Sequence, residues 1–130
     1  MHLLKDANLI KTLALPAAGA SASTEALDLL QGPVQEAHHE VELQLPALPA
    51  LANAKSVTAT LQDSADGVTF AAIAALATLV VTGGGGIGSA AATRKVRLPS
   101  DTRQYLRASV AVEAAGGDST AQKLSLALVF

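Results

Sequence analysis

The chain contains no cysteine and no tryptophan, and its only aromatic side chains are Phe70, Tyr105 and Phe130. Without cysteine there is neither a disulfide framework nor a thiolate metal site, and the redox compartment is left undetermined. Carbohydrate and single-stranded nucleic-acid sites use aromatic faces as stacking platforms, so three aromatics support neither well. A strong charge of one sign is missing as well. Nine basic against eleven acidic residues leave a net charge of −2, which argues against general nucleic-acid binding. No apolar run reaches the roughly 18–20 residues needed to span a bilayer, so no membrane partner is expected. The opening MHLLKDANLIKTLALPAAGASA has the outline of a signal peptide, but Asp6 and Lys11 interrupt its apolar part.

What is present is alternation. In 130 residues, half of them apolar, there is room for one domain with one modest core. A core of Ala, Val and Leu gains less per side chain than one built on aromatics, which favours a subunit that is stabilised by its neighbours. Residues 1–20 read as an N-terminal arm or a first strand, and residues 21–130 as a β-sandwich domain. TEALDLL places Glu25, Leu27 and Leu29 on one face. HHEVELQLP turns Val41, Leu43 and Leu45 inward and Glu40, Glu42 and Gln44 outward, and SVTATLQ does the same with Val57, Ala59 and Leu61. Asp66-Gly67 marks a turn. Residues 71–82 predict a strand, a bend and a second strand near Thr78 to Thr82, with a helical turn over Ala71 to Leu76 as the alternative. TRKVRLP is a further strand, and YLRASVAVEA and AQKLSLALVF predict a long terminal hairpin across Gly116, Gly117 and Asp118. About eight strands without a long helix predict an all-β antiparallel sandwich, and eight is the number of a jelly roll.

Chemistry is harder to find. TLVVTGGGGIGS satisfies G-x-G-x-x-G through Gly83, Gly85 and Gly88. A dinucleotide site would need that motif after the first strand and more chain behind it, so a mobile surface loop is expected and no cofactor is assigned. His38 and His39 stand beside Glu36, Glu40 and Glu42; His38, Glu40 and Glu42 would share an exposed face that could hold a metal weakly, and a plain polar edge is favoured over it. Neither a nucleophile elbow nor a carboxylate pair stands out, so no catalytic residue is named. Charge is distributed unevenly. Seven acids lie from Glu25 to Asp66 with Lys55 as the only cation, whereas Arg94, Lys95, Arg97, Arg103 and Arg107 cluster later. The two blocks are either solvated faces or neighbours within the subunit, or they set register against partner subunits. On that second reading, reversing Arg97 and Arg107 to Glu should weaken assembly without unfolding the monomer.

The turn LQDSADGVTF, the Gly/Ala-rich loop after LVVTG, the phrase RLPSDTRQYLR, the ending LALVF and the opening LLKDANLIKTLALPAAGAS together resemble small jelly-roll-like capsid cement (decoration) proteins of tailed bacteriophages. The resemblance covers most of the chain and transfers no site residue. It implies a non-enzymatic structural protein on the capsid exterior, made in the host cytoplasm. Its partners would be itself, as a dimer or trimer, and the major capsid protein. The alternatives are a head-completion, tail or fibre component, or a carbohydrate-binding sandwich.

Overall fold

The computed structural model describes residues 5–28, 40–73, 76, 78–98 and 102–129. Ten strands run along them. They are β1 (Lys5–Ala14), β2 (Ser21–Ser23), β3 (Leu27–Asp28), β4 (Glu40–Leu45), β5 (Ser56–Ser64), β6 (Ala71–Ala72), β7 (Leu79–Thr82), β8 (Ala92–Arg97), β9 (Tyr105–Val112) and β10 (Lys123–Val129). All strand pairings are antiparallel, and they form two sheets. The first has the order β1-β10-β4-β8; in the second, β2 and β3 lie along β9, which pairs β5, and β6 and β7 lie along β5. The ten segments therefore occupy eight lanes, four in each sheet. Successive lanes alternate between the sheets except at β5 and β6/β7, which are neighbours in the second sheet, and that interleaving is the connectivity of a jelly roll.

The predicted terminal hairpin is not formed. β9 pairs with β5 and β10 with β1 and β4, in opposite sheets. Alternation tells which side of a strand faces inward and says nothing of its hydrogen-bonded neighbour. Residues 113–122 cross from one sheet to the other in two turns, closed by Gly116 N–H to the Glu113 carbonyl and Gln122 N–H to the Ser119 carbonyl. Sheets stack about 10 Å apart, so a link of this length spans them.

TEALDLL is also divided. Thr24 is buried and Glu25 exposed, so Glu25 and Leu27 do not share a face. Thr24 donates its N–H to the Ala108 carbonyl and accepts the Ala108 N–H on its hydroxyl. That side-chain bond replaces one rung of the ladder and separates β2 from β3. The break foreseen within residues 71–82 is present: β6 and β7 both pair with β5, and buried Ile73 lies between them, its N–H on the Leu61 carbonyl.

The inward faces meet in an aliphatic core of Leu27, Val41, Leu43, Leu45, Val57, Ala59, Leu61, Leu106, Val110, Leu124 and Leu126, among others. Ala is scarce in it, against the expectation from composition. Among the described residues most alanines are exposed, many of them in the connections, such as Ala17, Ala18, Ala90, Ala91 and Ala115. Fully burying each Leu or Val contributes about 1.5–3 kcal/mol, so the core is richer than the alanine content suggests.

Candidate assembly surface

Of the five cations singled out in the sequence, three line β8, the last strand of the first sheet, while Arg107 lies on β9 of the second sheet and Arg103 just ahead of it. On β8, Arg94 is in register with buried Leu43 on the core side, where it closes the edge of the sandwich. Lys95 and Arg97 point to solvent, opposite Glu42 and Glu40 of β4. The Lys95 ammonium lies 3.8 Å from the Glu42 carboxylate. Glu42 is on the outer face, as alternation demands, yet is only 5% exposed. It was expected in the open, and its neighbour across β10, Ala127, is buried too.

Arg103 and Arg107 are engaged inside the subunit. Asp63 continues the inward series Val57, Ala59, Leu61 at the end of β5, so a carboxylate closes that end of the core. Arg103, just ahead of β9, holds it with Nε and Nη2 on Oδ1 at 3.1 and 2.8 Å and with its backbone N–H on Oδ2 at 3.1 Å. Nη2 also reaches the Asp63 carbonyl at 2.9 Å. Burial tends to raise the Asp63 pKa, but the hydrogen bonds and charge of Arg103 outweigh it, and the net direction is downward. On the outer face, Arg107 donates Nε to Gln62 Oε1 at 2.8 Å and lies 4.0 Å over the centre of the Phe70 ring. A cation on an aromatic face at such a site is worth about 0.5–1 kcal/mol.

The acidic and basic blocks thus meet within the molecule. Sequence reasoning could see the two blocks but missed the individual partners, Asp63 for Arg103 and Gln62 with Phe70 for Arg107. The one available signal for Asp63 was that the period-two series of β5 runs on past Leu61.

The glycine-rich loop is tied to the rest of the chain by hydrogen bonds at several points. Gly83 N–H binds the Lys55 carbonyl, Gly84 N–H the Gly88 carbonyl, and Gly86 N–H the Asn53 side chain at 2.9 Å. Leu48 and Ser89 bridge its base to the segment after β4. At its tip Ile87 is 79% exposed. The loop has therefore become a closed corner of the sandwich, with its amides largely committed to the chain itself. His38 and His39 lie outside the described residues. Among the described residues there is no group of three or more His, Cys, Asp and Glu placed to hold a metal ion.

No family model and no curated protein matches this chain. Solved structures do share its fold. XepA, an exported protein of PBSX, superposes with a TM-score of 0.58 at 16% identity, over 98% of this chain and 36% of XepA. The chain therefore spans about a third of XepA's length. A protein of the Bacillus endospore appendages, a family of disulfide-linked pili, superposes with a TM-score of 0.52, again at 16% identity, over 98% of this chain and 87% of that one. At such identity the likeness concerns the fold. A disulfide link of the pilus kind cannot be made by this chain, which has no cysteine.

Proposed function

We propose that this chain is a non-enzymatic structural protein of a phage virion, bound to the capsid exterior and stabilising contacts between major capsid protein subunits. The observation that carries the reading is the interleaved two-sheet order, β1-β10-β4-β8 against β2/β3-β9-β5-β6/β7, in a chain whose turn and loop phrases resemble phage cement proteins. One neighbour in fold is described as forming pili, so the same architecture serves there as the repeating unit of an assembly. The closed aliphatic core leaves the β8 edge, the outer sheet faces and the exposed tips at Ile87 and Val68 for contact with other subunits. Many copies on one shell act together, and weak single contacts then suffice. Association of the chain with itself as a dimer or trimer is part of the proposal.

Co-sedimentation with undecorated heads of the same phage tests it. The expected result is saturation at a whole-number ratio to the major capsid protein, with DNA released from decorated heads at a higher temperature. Absence of binding, or binding without saturation, would overturn it.

A further inference from the structure

We propose that the free edge of β8 accepts one more antiparallel strand, supplied by a different protein and carrying carboxylates at alternate positions. Supply of that strand by the capsid shell rests on the function proposed above; the preference of the edge does not.

β8 is hydrogen-bonded to β4 along one side and, among the described residues, has no strand along the other. Its row of unpaired backbone groups is a template for strand addition. The side chains on it determine which strands fit. Lys95 and Arg97 stand two residues apart on the outer face, and Arg97 has no hydrogen bond or ion pair among the described residues. β4 already displays the complement: Glu40 and Glu42 lie opposite Arg97 and Lys95, two carboxylates at the same spacing. Lys95 remains half exposed, and its 3.8 Å contact with Glu42 is loose. A strand with the same alternation on the other side of β8 would place its carboxylates against the same two cations. Opposite charges directly across a strand pair stabilise it, and like charges destabilise it.

A second copy of this chain does not supply such a strand. Self-pairing of β8 in a continuous sheet must keep each residue on its own face. The central registers then place Lys95 opposite Lys95, Arg94 opposite Arg94, or Lys95 opposite Arg97. The only acid-x-acid triplet in the sequence is Glu40-Val41-Glu42, and it is occupied in β4 between β10 and β8. Among the other edge strands, β1 carries two lysines and one aspartate, β3 a lone aspartate, and β2, β6 and β7 no charge. The edge thus repels its own kind and selects an acidic stranger.

The probe is a synthetic nine-residue peptide with glutamates alternating with valines, and its counterpart with lysines in place of the glutamates. Both are titrated to millimolar concentration into the ¹⁵N-labelled protein at low salt, and amide hydrogen exchange is followed residue by residue. The glutamate peptide is expected to slow exchange of alternate β8 amides at least tenfold, an effect that fades with added salt and is absent with the lysine peptide. Arg97→Glu and, separately, Lys95→Gln should abolish or weaken it while the remaining resonances stay in place. Equal protection by both peptides, protection at another edge, or none at all would overturn the proposal. Heads that bind the protein while the glutamate peptide does not would sink the edge assignment and leave the capsid reading standing. Peptide binding without head binding would do the reverse.

Discussion

Gly88 and Gly84 belong to the same loop and answer to different constraints. Gly88 has φ +73, and a Cβ there would run into the Leu48 carbonyl oxygen, whereas one at Gly84 would meet open space. Gly88→Ala is expected to lower the melting temperature by 10 °C or more, on the order of 3 kcal/mol of strain and lost corner packing. Gly84→Ala should change it by only a few degrees. Calorimetry of the two variants checks the contrast. Three carboxylates set a second expectation. The Thr69 and Val68 amides, with the Ser64 hydroxyl, bring Asp66 down to a pKa of about 2; Asp118 is lowered by the Thr120 hydroxyl and amide, and Asp63 as described. A carboxyl whose folded pKa lies below its unfolded value of 3.8 contributes stability above that value and loses it as pH falls through the folded one. Urea unfolding should therefore show these contributions intact above about pH 4 and lost from there toward pH 2. Asp63→Asn should already cost about 2 kcal/mol at pH 7, because it weakens charged hydrogen bonds at the end of the core. These side-chain bonds were invisible in the sequence. The Asp66-Gly67 turn was legible because the residue pair names its own backbone conformation, and Gly67 does have φ +77.

Among the elements, the strands with one clean apolar face were readable and their partners were not. Val57, Ala59 and Leu61 in β5, and Val41, Leu43 and Leu45 in β4, point inward as their alternation requires. The same alternation in β9 and β10 suggested a hairpin, because two strands with apolar faces can pair in one sheet or face each other across a core. Only the connection distinguishes these, and the Gly116-Gly117 sequence suits either. Thr24 hid the break between β2 and β3, since a threonine inside a strand pattern looks like one more strand residue. The five cations clustered in sequence but divide between the sheets, so only the β8 group forms a continuous charged edge. At that edge Arg94 lies on the core side, a placement that discourages pairing between copies. Arg94→Val would turn β8 into a neutral inner row beside Val96. Concentration-dependent light scattering is expected to rise in that variant at near-wild-type melting temperature. Unchanged scattering would mean that Lys95 and Arg97 suffice to guard the edge.

For the molecule as a whole, sandwich and strand number follow from period, spacing and turn residues; the path of the chain between sheets does not. That path has a direct test. β10 lies between β1 and β4, so deletion of residues 123–129 should abolish cooperative thermal unfolding and collapse the dispersion of the amide spectrum. A terminal hairpin on an independent sandwich would instead leave most of the fold intact. The same arrangement orders events during synthesis. The inner neighbour of β1 is encoded more than a hundred residues downstream of it. At about 5–20 residues per second, the nascent chain carries an unmatched β1 for roughly 5–20 s. Until β10 is made, the first sheet can pair at most β4 with β8, and no partial product can close it. A chain that stops before β10 therefore leaves the inner edges of β1 and β4 open together, and such unpaired edges mark the fragment for proteases and for pairing with other chains.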